Sequence, residues 1–257
     1  MAEKTIKFPE TSEITIKSLL QSGAHFGTKR SAWHPRMAPY IYGMRDKNYI
    51  INLDFTVKGW GSARAAIVNT VANGGQVLVV CTQEATRELT EQLADDVGFY
   101  FVNHKWLGGT LTNFSQLQVT LTKLNKLEIE IEKAEAGDIK LVKKEILRKK
   151  YQRDRLLRSL KGLRTMKKLP NLVFVMNPIK EYMAVRESRK LLIPIAGLSD
   201  TNMNPKYLNF PIPANDDANS TIALFLKAIA EAVREGKQLN EKSNAQEKQN
   251  DREQAEG

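Results

Sequence analysis

The sequence predicts an α/β fold, in which helices flank a mostly parallel sheet and an antiparallel helical hairpin is inserted. Short apolar runs alternate with longer helical patterns, which is typical of strand–helix–strand units. One segment, Thr110–Lys168, contains no strand pattern at all. Within it, residues 138–168 hold 13 Lys or Arg and 3 Asp or Glu, which equals the whole net charge of +10.

The runs that predict strands are too short for helices, several are rich in Val, Ile and Phe, and Gly74-Gly75, Gly98 and Pro194 mark places where elements should end. The runs are Tyr49–Leu53, Val77–Cys81, Phe99–Val102, Leu172–Met176, Ile193–Ala196 and Phe210–Ile212. Apolar residues at helical spacing predict helices between them, namely Thr56–Ala72, Glu84–Val97, Ile179–Leu191 and Asp216–Arg234. Because strands and helices alternate, we expect right-handed crossovers and a mostly parallel sheet.

The strand-free segment predicts two long helices joined by a turn. Apolar residues recur every three or four positions from Leu111 to Ile131, which is a coiled-coil-like pattern. A turn at Ala134–Asp138 would be followed by a second, strongly basic helix with Asp138 as its N-cap. We therefore divide the chain into an α/β domain at residues 1–109 and 169–236, a hairpin at 110–168 and a disordered polar tail at 237–257.

Composition excludes several classes of protein. No apolar run approaches the roughly 18 residues of a membrane span, and the N-terminal residues resemble neither a secretory signal nor a transit peptide. The single cysteine, Cys81, cannot form an internal disulfide, which favours a reducing compartment. It ends an apolar strand without an activating partner, so an inert buried thiol is favoured over a nucleophile. We expect a cytoplasmic protein without a membrane partner.

A nucleotide-binding enzyme is the alternative function, and its sequence signal is weak. Gly59 and Gly61 match the first two glycines of a dinucleotide-binding motif, but Arg64 stands where a third small residue is needed. The glycines also fall inside a predicted helix instead of the loop that would hold a pyrophosphate. We therefore predict no catalytic residues and no cofactor.

Acidic residues follow two of the predicted strands, at the sheet edge where α/β proteins bind ligands. Asp200, Asp216 and Asp217 could bind a cation there, with or without His25; in the alternative interpretation, Asn215 or Asp216 caps the helix that follows. The three histidines lie far apart and show no zinc-type spacing. We predict no resident metal and leave the cation question open.

Two loop-like clusters combine basic and aromatic residues. The cluster His25–Arg45 contains four cations with two prolines, and the cluster Asn103–Asn113 places Lys105 and Trp106 beside two glycines. Cations neutralise phosphates and aromatic rings stack on unpaired bases, which is how proteins recognise RNA. Packing of Trp106 into the core is the alternative interpretation of the second cluster.

Several motifs, in order and at matching spacing, resemble the bacterial-type small-subunit ribosomal protein S-two family. They are HFG at His25–Gly27, WLGGTLTN at Trp106–Asn113, MKKLP at Met166–Pro170, DTN at Asp200–Asn202 and IPANDDA at Ile212–Ala218. The resemblance runs from about residue 14 to residue 233. The chain departs from the family at Thr28, where a second histidine is common.

The resemblance implies a flavodoxin-like (Rossmann-like) sheet with a protruding hairpin and a structural, non-catalytic role. It implies binding to 16S-type rRNA and to other small-subunit proteins, including S-one, the large mRNA-binding protein. It also implies a cytoplasmic, ribosome-associated location, with an organellar origin left open, and no obligate homo-oligomer.

We expect rRNA contacts from the two loop clusters and from the basic arm of the hairpin. In the loops, the predicted contact residues are Arg30, Trp33, His34, Arg36, Lys105, Trp106, Thr110 and Asn113. In the hairpin, they are Lys143, Lys144, Arg148, Lys149, Lys150, Arg153 and Arg155.

Overall fold

The computed structural model describes residues 11–136 and 142–255, with side chains as far as Asn244. In chain order its helices and strands are α1 (Ile16–Ser22), β1 (Phe26–Lys29), β2 (Ile41–Arg45), β3 (Asn48–Ile51), α2 (Leu53–Ala72), β4 (Val77–Val80), α3 (Arg87–Val97), β5 (Tyr100–Val102), α4 (Phe114–Ala136), α5 (Lys143–Leu160), β6 (Leu172–Val175), α6 (Tyr182–Lys190), β7 (Ile195–Ser199), β8 (Phe210–Pro213) and α7 (Asn219–Ala255).

A five-stranded parallel sheet forms the centre of the fold, in the order β5–β4–β6–β7–β8. Every one of its strands begins within two residues of a predicted apolar run. The three central strands are buried along their whole length, which explains why their sequences are continuous apolar runs instead of alternating patterns. The α/β prediction is confirmed.

The sheet separates two apolar cores, because successive side chains of a strand point to opposite faces. In β4, Val77 and Val79 join the core formed with α2, α3 and α7, where Trp60 and Phe225 meet edge to face at 5.7 Å. Leu78 and Val80 join the second core. That core contains residues of α4, α5 and α6, so the long helices are anchored on this face.

The run Tyr49–Leu53, predicted as a strand of the parallel sheet, belongs elsewhere. Its residues form most of β3, which pairs antiparallel with β1 and β2 in a separate three-stranded sheet. The turn between β2 and β3 explains the error. Asp46 and Lys47 both have positive φ, and two such residues make a tight hairpin that forces the flanking strands to pair antiparallel.

Helices α4 and α5 lie consecutively between β5 and β6 and pack side by side with opposite chain directions. Lys149 pairs with Glu130 and Lys150 pairs with Glu135, while Gln118 near the start of α4 bonds to the carbonyl of Met166 beyond α5. The apolar pattern of α4 is buried, as its spacing predicts. The proposed N-cap Asp138 lies outside the described residues, and α5 begins at Lys143 after Val142.

The structure differs from the prediction of a disordered tail from Lys237. Helix α7 continues without a break to Ala255. The first turn beyond the predicted boundary is attached to the domain, because Asn240 Nδ2 donates to the carbonyl of Ala72 at the end of α2. Polar composition alone does not reveal this attachment, since it uses a single amide and the end of another helix.

Glycines at two positions of α2 predict opposite effects on stability. A Cβ on Gly59 would lie 2.7 Å from the carbonyl oxygen of Pro211 on β8, whereas a Cβ on Gly61 would meet nothing within 4 Å. We expect Gly59→Ala to lower the free energy of unfolding by about 1–3 kcal/mol, because the helix must move off the sheet. Gly61→Ala should raise it by about 0.5–1 kcal/mol through helix propensity.

Urea denaturation of both variants beside the parent chain checks this pair. Since both substitutions add the same methyl group to the same helix, the difference between them isolates the close approach of α2 to β8. Equal stabilities would contradict the packing argument.

Candidate nucleic-acid interface

A buried carboxylate holds the second predicted loop cluster, residues 103–113, in place. Glu187 of α6 is only 4% exposed, and its Oε1 accepts hydrogen bonds from Trp106 Nε1 at 3.0 Å and the Gly109 amide at 2.8 Å. Its Oε2 accepts from the amides of Leu111 and Thr112, both at 3.0 Å, and from the Thr112 hydroxyl. One side chain therefore accepts five hydrogen bonds from donors of this loop.

Burial and hydrogen bonding act on the Glu187 carboxyl in opposite directions. Burial raises its pKa, but the hydrogen bonds donated by Thr112, Trp106, Gly109 and Leu111 outweigh burial and hold the pKa below its usual value. Glu187 is therefore a carboxylate at neutral pH, which is the form that accepts five hydrogen bonds.

The same geometry corrects two of the predicted contact residues. Trp106 is buried in the second core, and Thr110 is buried with its hydroxyl donating to the carbonyl of Leu107. Neither side chain can reach a phosphate on the surface, so the alternative interpretation of Trp106 is correct. Lys105 and Asn113 of the same loop are exposed.

The first predicted cluster is partly regular structure, because it contains β1, β2 and a 3-10 helix at Pro35–Tyr40. Arg30 and Arg36 are exposed. Trp33 is half-buried, with its ring 5.2 Å from that of Tyr49. The remaining predicted contact residue, His34, donates its backbone N–H to the carbonyl of Thr201 at 2.7 Å, which fastens the cluster to the loop after β7.

Helix α5 presents two different faces, and the hairpin predictions divide between them. The inner face consists of Ile146, Lys149, Arg153, Leu156 and Leu160, spaced three and four apart and all at least partly buried. On this side Lys149 pairs with Glu130, and Arg153 pairs with the neighbouring Asp154. These cations are already neutralised within the protein, as is Lys150 by Glu135.

The outer face of α5 carries the cations that remain available. Its members follow the same spacing of four and three residues, are all exposed, and have no ion pair within the described residues; they are Lys144, Arg148, Arg155 and Arg158, with the exposed Tyr151 among them. The prediction included Lys144, Arg148 and Arg155, together with the exposed Lys143 beside them. It missed Arg158 and Tyr151, although the helical period contains both.

Helix α6 lies between the two loop clusters. On one side it holds loop 103–113 through Glu187, and a Cβ on Gly108 would meet Met183 at 3.8 Å. On the other side Tyr182 and Val185 line a cavity together with His34 of the first cluster. Loop 103–113 also adjoins the last turn of α5, since Leu107 and Leu160 line one cleft. The structure thus gives a continuous series of elements from α5 to the first cluster.

Comparison with known proteins identifies the family of this chain. The sequence pattern described as ribosomal protein S2 matches residues 19–236. The chain belongs to the ribosomal protein S2 family. A curated relative from Nitratidesulfovibrio vulgaris strain DP4, named small ribosomal subunit protein uS2, is 40% identical over 233 residues, which is 91% of each chain.

Two further relatives carry the same name. The protein of Lawsonia intracellularis is 40% identical over 88% of this chain and 77% of its own length. The protein of Desulfatibacillum aliphaticivorans is 41% identical over 88% of this chain and 76% of its own length. The ribosomal protein S2 family is structural and non-enzymatic, and its members are cytoplasmic and ribosome-associated, so the alternative prediction of a nucleotide-binding enzyme is wrong.

Within the described residues of this S2-family chain, the glycines of the partial dinucleotide motif do not form a phosphate-binding loop. Gly59 and Gly61 lie inside α2, as expected. At the crevice between β4 and β6, where the strand order reverses, Thr82 donates to Glu181 and both side chains are buried.

Cys81 is also buried, and burial raises the pKa of its thiol, which makes it a poor nucleophile. No helix within residues 11–136 and 142–255 is both long and apolar enough to cross a bilayer.

Three carboxylates of this S2-family chain do come together at the sheet edge. One oxygen from each of Asp200, Asp216 and Asp217 lies within 4.8 Å of the others, and His25 is not part of the group. Burial raises the pKa of Asp216 to about 8 and that of Asp200 to about 6. The negative charges of Asp200 and Asp217 also repel that of Asp216, and either a bound proton or a bound cation would relieve this repulsion. Of the two capping candidates, Asn215 is the one whose side chain bonds to the backbone: its Oδ1 accepts from the amides of Asp217 and Ala218, in the turn before α7.

Glu187→Gln tests the organisation of the loop. Because an amide offers only one acceptor oxygen, we expect it to leave buried donors unpaired and to lower the free energy of unfolding by about 2–3 kcal/mol at pH 7. The lowered carboxyl pKa adds a pH signature. The stabilisation is complete above the usual pKa of Glu and is lost as the pH falls through the lower folded value, so the difference between parent and variant should narrow in acid.

Urea denaturation at pH 7 and at decreasing pH measures both effects. The exposed Glu241→Gln makes the same charge change and should be close to neutral. If Glu187→Gln were equally neutral, Glu187 would not be what holds the loop.

Proposed function

We propose that this protein is a structural component of the small ribosomal subunit that binds 16S-type rRNA through the outer face of α5 and the exposed loop residues. Membership in the ribosomal protein S2 family supports the assembly. The observation that carries the RNA contact is the outer face of α5, where four exposed cations follow a single helical stripe without an internal ion pair among the described residues.

The spacing of the stripe suits a nucleic-acid backbone. From Lys144 to Arg158 it extends for roughly 21 Å at ~1.5 Å per residue, which spans several phosphates of an RNA strand. Tyr151, in the middle of the stripe, is 74% exposed and can stack on a base or a ribose. Binding then follows from counterion release by the cations, while the tyrosine adds an apolar contact.

The loop clusters extend this surface. Lys105 and Asn113 lie on the loop that adjoins the base of α5, and Arg30 and Arg36 lie on the far side of α6. Trp33 and His34 are half-buried. Their buried parts position the first cluster, and their exposed edges are available to RNA. Phosphate contacts of this kind fix the orientation of a protein on RNA without reading its sequence.

Reversing the outer stripe tests the RNA contact. We expect the triple variant Lys144→Glu, Arg148→Glu and Arg155→Glu to fold normally but to incorporate poorly into small subunits, because three phosphate contacts become repulsive. The slope of log affinity against log salt concentration should fall by about three. The measurement is reconstitution of subunits that lack their S2-family protein, at several salt concentrations.

The matched control reverses three exposed cations of the partner helix, Lys123, Lys126 and Lys133 of α4. It makes the same change in net charge on the same pair of helices. Equal loss of incorporation in the two variants would attribute the effect to net charge and refute the α5 stripe.

We propose further that the exposed face of the three-stranded sheet docks neighbouring small-subunit proteins, including S-one. Tyr42 and Met44 alternate along β2 and so lie on one face, where they are 80% and 54% exposed. Adjacent large apolar side chains that face solvent are typical of protein–protein contacts. This surface is separate from α5, so one protein can contact rRNA and a protein neighbour together.

The double variant Tyr42→Ser and Met44→Ser should enter subunits normally but retain less S-one, because the apolar contact is removed without a change in charge. Co-sedimentation of S-one with reconstituted subunits measures this, and we expect a loss of at least about tenfold in affinity. The control variant Val119→Ser and Ile129→Ser removes exposed apolar groups from α4 instead. Undiminished S-one retention by the Tyr42 and Met44 variant would place its docking site elsewhere.

A further inference from the structure

A strained and exposed leucine follows the end of α6. Leu192 has a φ of +57°, in the left-handed region that residues other than Gly, Asn and Asp rarely adopt. Among the described residues outside the turn between β2 and β3, it is the only non-glycine residue with a positive φ. Its side chain is 89% exposed, which is more than any other large apolar side chain that the structure describes. The free chain gains nothing from either feature.

The backbone around Leu192 requires the left-handed conformation. The amide of Leu192 donates to the carbonyl of Arg189 at 3.2 Å, and the amide of Ile193 donates to the carbonyl of Ser188 at 2.9 Å. These two bonds form the motif that commonly ends a helix with glycine at the left-handed position. The motif explains the backbone at this position but not the large apolar side chain, since glycine would fit there without strain.

The segments that lead into β6 and β7 meet next to this leucine, and both are basic. The Val173 amide in β6 donates to the carbonyl of Pro194, two positions after Leu192, at 3.0 Å. Residues 165–171 and 188–194 contain no acid. Their four cations are exposed and form no ion pair within the described part of the chain; they are Lys167, Lys168, Arg189 and Lys190. The leucine therefore lies at a corner of the domain that carries four positive charges without a carboxylate partner.

The exposed acids at the amino ends of the strands lie beside β4 and β5. They belong to the end of α3, before β5, and to the part of α7 near the loop that precedes β4; they include Asp95, Asp96, Glu235 and Glu241. In the strand order, β6 lies between these acids and the β7 end, where Leu192 is. The segment before β8 contributes the exposed Lys206, and Glu187 of α6 is buried and bonded to loop 103–113. A group in contact with Leu192 therefore meets mainly cations.

An apolar side chain among unpaired cations suits RNA better than a protein partner. Phosphates neutralise the cations, while an apolar side chain can pack on the face of an unstacked base. Protein–protein contacts are depleted in lysine, which supplies three of the four cations here. Contact with a base would also bury the exposed leucine, which offsets the cost of its backbone conformation.

We propose that Leu192 packs against an unstacked base of the small-subunit rRNA, with neighbouring phosphates on Lys168, Arg189 and Lys190. The proposal deepens the proposed function and rests on it. It adds an RNA contact at the amino ends of β6 and β7, whereas the two loop clusters adjoin the opposite ends of the strands, after β5 and β7. Helix α6 connects the two edges.

The substitution Leu192→Gly separates the strain from the contact. Glycine relieves the strain, so the thermal midpoint of the free protein should rise by about 2–4 °C. The same variant should bind small subunits at least about fivefold more weakly, because the apolar contact is lost. The measurements are thermal unfolding and competition with the parent chain for subunits that lack their S2-family protein. A more stable protein that binds less well cannot owe its weaker binding to misfolding.

Three further variants control for the residue type. Leu192→Asn should behave like Leu192→Gly, because asparagine tolerates the left-handed conformation but is polar. Leu192→Met keeps an apolar side chain of similar size and should bind within about twofold of the parent. Leu20→Ala truncates a half-exposed leucine of α1 and is matched with Leu192→Ala. We expect only Leu192→Ala of this pair to lower the affinity for subunits.

The outcomes distinguish failure of this contact from failure of the proposed function. If Leu192→Gly binds subunits as tightly as the parent, Leu192 makes no contact, whatever happens to the stability. A loss of affinity together with a loss of stability would assign Leu192 a role in the fold and would also overturn the proposal. If the parent chain itself does not enter the subunits, it is the proposed function that fails.

A photoreactive benzoyl-phenylalanine in place of Leu192 identifies the partner. We expect a cross-link to 16S-type rRNA in reconstituted subunits that contain the full chain. A cross-link to a ribosomal protein instead would show that a protein covers this corner and would overturn the RNA assignment. The double variant Lys168→Gln and Lys190→Gln should lower the slope of log affinity against log salt concentration by about 1.5. An unchanged slope would show that no phosphate meets these cations.

Discussion

The candidate interface depends on the buried carboxylate of Glu187. The loop 103–113 turns sharply between β5 and α4, so several of its N–H groups point inward, where only water or a protein acceptor could satisfy them. One carboxylate accepts from three backbone amides, an indole and a hydroxyl. Because Glu187 belongs to α6, the same contact fixes the loop, the start of α4 and the helix that lines the cavity. Removing this acceptor would therefore weaken one contact that all three share.

A second constraint is electrostatic and concerns how α5 can be so basic and still fold against α4. The helical period separates its cations into two groups. Those on the inner side, Lys149 and Arg153, find carboxylates within the protein, and Leu156 and Leu160 pack beside them. Those on the outer side repel one another in solution, which is a cost that a polyanion would remove. A polyanion bound along the outer side would therefore stabilise the arrangement.

Sequence patterns predict the elements whose partners are close in the chain or whose burial is complete. The runs containing β4 and β6 are recognisable because both faces of these strands are apolar, and α4 because its pattern has a regular period. They do not predict which distant group satisfies a side chain. From the sequence, Trp106 is predicted to contact RNA. In the structure its indole donates to Glu187, which lies 81 positions away in the chain. The antiparallel pairing of β3 likewise depends on a positive φ at Lys47, and the residue type lysine does not predict a positive φ.

Burial also determines which charges of the α/β domain are presented at its surface. By sequence count the chain outside residues 138–168 is neutral, so its net charge alone indicates no attraction to RNA. In the structure, however, Glu181, Glu187, Asp200 and Asp216 are all buried. Each is either bonded to groups of the protein or shifted toward its neutral form, as the raised pKa values of Asp200 and Asp216 indicate. The buried acids at this edge thus contribute little field at the surface, where Lys180, Arg186 and Arg189 are exposed together with Asp217. A body that is neutral by composition can present a positive edge, and the basic arm is then the larger of two cationic surfaces.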